Sequence, residues 1–184
     1  MVQLREKGRD LKVLLDHGYK LKMTLDCLGV PLIINDDAEI AQKLDASGVH
    51  LGKEDGSVIR AREILGPDKI IGMSIESEMD LEYANSLPLD YVAASAVFST
   101  ANKSNVRKLW GLDGLRALAS MSKHRLIAIG GINLSNVESV LDAGARGIAV
   151  IGALHDAKDP MVAARSLRHQ IDCQIDNGGW SDAN

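Results

Sequence analysis

Residues 125–153 read RLIAIGGINLSNVESVLDAGARGIAVIGA and contain the unit from which the whole chain is built. Two apolar runs, 125–130 and 147–151, flank an amphipathic stretch at 135–143 that stops before Gly144. Short runs rich in Val and Ile are typical of strands buried on both faces of a parallel sheet, and a glycine commonly follows a helix end. The segment therefore predicts a strand–helix–strand unit with a right-handed crossover.

The same alternation continues towards both ends of the chain. It predicts further strands at 2–5, 31–35, 49–52, 69–74 and 90–94, and further helices at 10–28, 38–46, 57–65, 78–87, 112–122 and 160–172. Strict alternation favours an α/β fold with parallel strands. A doubly wound sheet usually has about five or six strands and a TIM barrel has eight. The chain shows seven, with no linker between them, so we expect one domain over 1–174 and a frayed tail at 175–184.

Composition excludes several functional classes. The 184 residues carry a net charge of −4, which argues against nucleic acid or an anionic membrane as the main partner. Aromatic residues make up only 3%, so a base-stacking platform is not expected. No apolar run reaches the length of a membrane span, and no signal segment opens the chain. Cys27 and Cys173 match no zinc or disulfide spacing, so we expect a cytoplasmic protein.

Polar residues follow the first predicted strand in an alternating pattern. Strand geometry places Gln3, Arg5 and Lys7 on one side and Leu4 on the other. Two cations and an amide on one face suit a phosphate or a diphosphate. A solvated strand end explains the same pattern, and these residues alone leave both interpretations open.

Carboxylates follow the second and third predicted strands. Asn35 and Asp36 come directly after one apolar run, and Asp55 follows the other. Carboxylates that face Arg and Lys at the carboxyl ends of parallel strands suit Mg²⁺ bridging to a diphosphate. Asp36 and Asp55 are equally good helix N-caps, so both interpretations remain open here.

The later strands end in groups that suit phosphate. A hydroxyl, an amide and an ammonium follow the fifth strand, and a glycine pair after the sixth allows close approach of backbone N–H groups. These candidates are Ser74, Thr100, Asn102, Lys103, Gly130, Gly131, Ile151 and Gly152. The five histidines form no catalytic pattern, and we expect packing or surface roles for all of them, including His50 within the third strand.

Taken together, these motifs resemble the thiamine-phosphate synthase family, also called thiamine-phosphate pyrophosphorylase. The matching stretches occur in the family's order over about residues 2–165. They are QLREK at 3–7, GVPLIIND at 29–36, GVHLGKED at 48–55, IGMS at 71–74, FSTANK at 98–103, IAIGGI at 127–132 and GIAVIGA at 147–153. The resemblance implies a TIM (β/α)8-type barrel. A further strand and helix precede QLREK in the family, so we expect a barrel that lacks its first strand and is N-terminally short.

The resemblance also implies an activity. The family joins hydroxymethylpyrimidine diphosphate to hydroxyethylthiazole phosphate and releases diphosphate, by a dissociative, Mg²⁺-dependent substitution. Mg²⁺ would be held by Asp36 and Asp55, and Lys103, Arg5 and Ser74 would act in catalysis. The other substrate-binding residues implied are Gln3, Glu6, Lys7, Asn35, Thr100, Asn102, Gly130, Gly131, Ile151 and Gly152. The partners expected are therefore small molecules, with a homo-oligomer possible.

Two alternatives remain beside this hypothesis. The family's Thr-x-Thr-Lys motif is replaced by Thr100-Ala101-Asn102-Lys103, Lys53 stands in place of a glutamine, and Gly152 in place of a serine. With the missing strand, these departures would fit an inactive or truncated paralogue that binds phosphate ligands. A thiazole tautomerase on the same barrel would need an acid–base residue, but Ala96 stands where that relative carries a histidine.

Overall fold

The computed structural model describes residues 1–100 and 108–174, and these form two compact units. The first unit comprises residues 1–74 and 86–90. Its elements alternate along the chain as β1 (Val2–Leu4), α1 (Leu11–Cys27), β2 (Leu32–Asn35), α2 (Ala38–Lys43), β3 (Gly48–Leu51), α3 (Val58–Leu65) and β4 (Ile70–Ile75). The prediction of one domain over 1–174 stays a prediction, and 175–184 lie outside the described residues.

Parallel pairing in the first unit follows the chain order. β1 pairs with β2, β2 with β3 and β3 with β4. The register places Asn35 beside His50 and His50 beside Gly72, so β2 and β3 end within one residue of each other and β4 continues past both. β2 and β3 are buried on both faces, as the sequence predicts, whereas β1 is largely exposed. Within the described chain β1 pairs with β2 only, so it is an edge strand.

The second unit comprises residues 75–85 and the chain from residue 91 onward. Its elements are α4 (Glu78–Ala84), β5 (Tyr91–Ser95), α5 (Gly111–Met121), β6 (Arg125–Ile129), α6 (Val137–Asp142), β7 (Gly147–Ala149), α7 (Gly152–His155) and α8 (Pro160–Gln174). β5 pairs with β6 and β6 with β7, again in parallel. Apolar residues of these strands and of α5 and α6 form its core: Val92, Ala94, Leu115, Leu118, Leu126, Ala128, Val137 and Val140.

Seven strands lie within the described residues, each at a predicted position, so the prediction of a seven-stranded α/β fold is confirmed. The differences are local. α6 begins at Val137 rather than residue 135, because Asn133 and Asn136 form a side-chain-bonded turn before it. A one-turn helix, α7, lies between the predicted strand at 147–151 and the predicted helix at 160–172, where the sequence predicts no element. None of the helices described is long and apolar enough to cross a membrane.

Candidate active site

Asp36 directly follows β2 in a conformation that non-glycine residues seldom adopt. Its φ is +72°, in the left-handed region that Asp tolerates better than most residues. Its N–H donates to the carbonyl oxygen of His50 across the strand pair, at 2.8 Å. The next residue, Asp37, caps α2 by accepting from the N–H of Ile40 at 2.9 Å. Asp36 is therefore not the N-cap of α2, and its carboxylate is available for another role.

Asp55 is held in a similar way within the loop after β3. One of its carboxylate oxygens accepts from the N–H of Gly52 at 2.8 Å, which closes a tight turn. A Cβ at Gly52 would lie 2.6 Å from that oxygen, so a larger residue there would displace the Asp55 carboxylate. The N-cap of α3 is Ser57, which accepts from the N–H of Arg60. Neither candidate carboxylate is thus a helix cap.

The two carboxylates lie beside each other. Desolvation by burial raises the pKa of Asp36 above its ordinary value, and the adjacent Asp55 carboxyl raises it further. Lys7 opposes the rise, since its Nζ lies 3.2 Å from an Asp36 carboxylate oxygen. A groove of about 290 Å³ beside the pair is lined by both aspartates, by the start of α2 and by residues of α3. Such a pair of like charges favours a bound cation or a shared proton.

The residues after β1 separate into two groups. Gln3, Arg5 and Lys7 are exposed, and Leu4 and Glu6 are half-buried, which follows the predicted alternation. Glu6 lies 3.3 Å from Arg9 and 3.2 Å from His17, so its described partners are in the β1–α1 loop and in α1. The structure brings Lys7 to Asp36 and engages Glu6 in the local packing of that loop.

His50, for which the sequence predicts a packing or surface role, is buried and has a candidate site residue as its polar partner. It is 7% exposed in the middle of β3, and its Nε2 lies 2.9 Å from the hydroxyl oxygen of Ser74 on β4. Asn35 is its neighbour in the register on β2. A histidine between Val49 and Leu51 in an apolar strand was the available signal, because a buried imidazole needs polar partners.

The glycine pair after β6 is required by the backbone of its own unit. Gly130 and Gly131 have φ values of +102° and +65°. A Cβ on Gly131 would lie 2.6 Å from the carbonyl oxygen of Ser99, and one on Gly130 would lie 2.4 Å from the Cβ of Ala96. The segment after β5 therefore passes directly over the glycines. The carbonyl oxygen of Gly131 accepts from the Asn136 side chain at 3.0 Å, which fixes the turn.

The remaining candidates are partly described. Ile151 precedes α7 with an exposed side chain, and Gly152 opens that helix. Thr100 is half-buried. Asn102 and Lys103 lie outside the described residues. Within the described residues no group of three or more His, Cys, Asp or Glu side chains could hold a metal ion. A cation at this site would therefore take two protein carboxylates and complete its shell with water or substrate oxygens.

Comparison of the chain with known proteins shows the family to which it belongs. Residues 1–154 match the family model described as thiamine monophosphate synthase. The chain belongs to the thiamine monophosphate synthase family. It is similar to the thiamine-phosphate synthase of Chlamydia caviae, with 50% identity over 93% of this chain and 81% of the relative. It is also similar to that of Vibrio campbellii, with 44% identity over 91% of this chain and 82% of the relative.

A solved structure agrees with this membership. The thiamine phosphate pyrophosphorylase of Pyrococcus furiosus superimposes with a TM-score of 0.84 and 35% identity, over 92% of this chain and 81% of that one. The match confirms the α/β fold of the TIM-barrel type and the family that the motifs indicate. Membership of a synthase family also confirms that the chain belongs among transferase enzymes of thiamine biosynthesis.

Proposed function

We propose that this chain joins hydroxymethylpyrimidine diphosphate to hydroxyethylthiazole phosphate and so forms thiamine phosphate. The bond from the pyrimidine methylene carbon to the diphosphate oxygen breaks, and its electron pair leaves with the diphosphate. The thiazole nitrogen then forms the new bond to that carbon. Family membership supports the reaction. The observation that carries it to these residues is the Asp36–Asp55 pair with Lys7 beside it.

Mg²⁺ fits the aspartate pair. Two adjacent carboxylates, one with its pKa raised by burial and by its neighbour, form a site that a divalent cation would stabilise. Mg²⁺ usually takes one or two protein carboxylates and leaves its other positions to water and substrate phosphate oxygens. When bound, it would supply the positive charge that a departing diphosphate needs. Asp36 and Asp55 are the residues that would hold it.

The residues around the pair would hold the pyrimidine diphosphate. Arg5 and Lys7 are exposed cations that would pair with diphosphate oxygens, Lys7 from its position beside Asp36. Gln3, Asn35 and Ser74 would donate hydrogen bonds to the same substrate. Because this reaction needs a stabilised leaving group and not an activated enzyme nucleophile, the lack of a Ser-His-Asp pattern in the sequence fits it.

We assign the thiazole phosphate to the second unit. Backbone groups of Gly130, Gly131, Ile151 and Gly152 would cradle this phosphate, with Thr100 and Asn102 contributing side chains. Lys103 would neutralise charge on the departing diphosphate. The cytoplasm as location is likewise proposed, and the two free, exposed cysteines, Cys27 and Cys173, support it because free thiols persist in a reducing compartment.

An end-point assay tests the function. The purified chain is incubated with both substrates, with and without Mg²⁺, and the product is detected by mass; omission of each substrate in turn is the control. We expect thiamine phosphate only when both substrates and Mg²⁺ are present. Isomerisation of a thiazole carboxylate phosphate without Mg²⁺ would instead indicate a tautomerase. Binding of both phosphates by a folded sample without any product would indicate an inactive paralogue.

A further inference from the structure

His50 is a buried polar residue that the proposed mechanism has not used. Val49 and Leu51 point to the opposite face of β3 and are almost fully buried, so the imidazole stands on the other face. It is only 7% exposed. A buried imidazole destabilises the fold unless polar partners compensate for the water it has lost. The role of His50 therefore depends on its neighbours on β2 and β4.

The register explains how the ring reaches Ser74. Gly72 lies directly beside His50 on β4, and Ser74 is two residues further along the same face. Because Gly72 has no side chain, the imidazole can extend over it, and Nε2 comes within 2.9 Å of the serine hydroxyl. The main-chain carbonyl of His50 accepts from the Asp36 N–H at 2.8 Å. One residue thus contacts two members of the proposed diphosphate and metal site.

We propose that His50 is a positioning residue, whose Nε2–H donates to the Ser74 oxygen and directs the serine proton towards the substrate diphosphate. A hydroxyl has one proton. If Ser74 gave that proton to an unprotonated Nε2, it could not donate to a diphosphate oxygen. The role proposed for Ser74 therefore requires the imidazole tautomer with its proton on Nε2. This inference rests on the proposed function, since Ser74 must meet the diphosphate.

Kinetics of two His50 variants test the assignment. Leucine has a similar size but no donor, whereas the glutamine amide nitrogen can take the place of Nε2. We expect His50→Leu to lower kcat/KM for the pyrimidine diphosphate roughly tenfold, the loss that corresponds to one hydrogen bond. His50→Gln should recover most of that loss. KM for the thiazole phosphate should stay at the wild-type value in both variants.

A matched control and a double variant separate positioning from packing. His124 also has a polar contact through Nε2, with the carbonyl oxygen of Ala84 at 2.9 Å, but both residues belong to the second unit and neither is a candidate site residue. His124→Leu should lower the thermal midpoint and leave kcat/KM unchanged. Ser74→Ala combined with His50→Leu should be no slower than Ser74→Ala alone, because His50 acts through that hydroxyl.

Nitrogen NMR of the wild-type protein gives an independent measurement, even if His50→Leu does not fold. We expect the chemical shifts of the His50 ring to show a protonated Nε2 and an unprotonated Nδ1. A proton on Nδ1 alone, a further loss in the double variant, or His50→Leu matching His124→Leu would each overturn the assignment. Those results with an active wild type leave the proposed function intact. A wild type that forms no thiamine phosphate overturns the function itself, and His50's role with it.

Discussion

At the scale of single residues, Asp36 and Asp55 carry the sharpest prediction. Asp36→Asn and Asp55→Asn should each lower Mg²⁺-dependent turnover by at least about tenfold to a hundredfold, as loss of metal-supporting groups does. Folding should be nearly unchanged, because neither residue caps a helix. Thiamine phosphate formation as a function of Mg²⁺ concentration measures the effect. Asp37→Asn is the control, since asparagine also caps helices well and the charge change is the same.

The pH dependence of stability provides a second measure of the same pair. Because burial and Asp55 raise the pKa of Asp36 above its ordinary 3.8, the folded state binds more protons than the unfolded state between the two values. Stability therefore falls as pH rises through that window, when Mg²⁺ is absent. Asp55→Asn removes one of the causes, so it should flatten this slope. An unchanged slope would show that Asp55 does not act on Asp36.

Residue identity alone could not separate these roles. The sequence singles out Asp36 and Asp55 as metal ligands or helix caps. The caps at Asp37 and Ser57 exclude the cap role, and metal binding stays a prediction. The sequence predicts a packing or surface role for His50, and nothing local to it indicates Ser74. The pairing arises from the β3–β4 register, which joins residues that are 24 positions apart.

At the scale of elements, periodicity predicted the strands well because each buried strand is a short apolar run. Helix ends were less predictable, since side-chain turns such as the one at Asn133 and Asn136 shift them by a residue or two. α7 was missed because a single turn of helix has no apolar period to recognise. The glycine pair was predicted to approach phosphate, while its close contact with the segment after β5 depends on tertiary structure.

The contact between Gly131 and the segment after β5 can be tested by comparing alanine substitutions at Gly131 and at Gly29, a glycine with a similar φ. Gly131→Ala introduces a Cβ 2.6 Å from the Ser99 oxygen at a φ of +65°, whereas Gly29→Ala has a φ of +63° and nothing within 4 Å. Both variants carry about 1 kcal/mol of backbone cost. Gly131→Ala should lose roughly 1–3 kcal/mol more, from overpacking. Urea unfolding measures the free energy of unfolding of each variant. Equal decreases in the two variants would mean that the segment after β5 moves away from the new Cβ with no loss of stability.

At the scale of the whole molecule, the chain offers a test of whether residues 1–174 behave as one domain. Arg62, in the last turn of α3, binds the carbonyl oxygens of Gly66, Lys69 and Pro88 and the carboxylate of Asp90. The Asp90 carboxylate also accepts from the N–H of Ile71 at 2.7 Å. All these groups belong to the first unit, and its segment 86–90 is tied to the rest through Arg62.

Arg62→Lys should destabilise the protein by about 2 kcal/mol, because one ammonium cannot replace a guanidinium that has several acceptors. Arg60→Lys on the same helix should cost under about 0.5 kcal/mol, since Arg60 and Glu63 form an exposed pair. Trp110 is buried in the second unit, so its fluorescence reports the unfolding of that unit. The measurement uses Trp180→Phe variants, so that Trp110 gives the tryptophan signal. For a single domain, Arg62→Lys lowers the Trp110 fluorescence midpoint and the circular dichroism midpoint together. A fluorescence midpoint that stays at the wild-type value while circular dichroism shows an earlier transition would mean that the two units unfold separately.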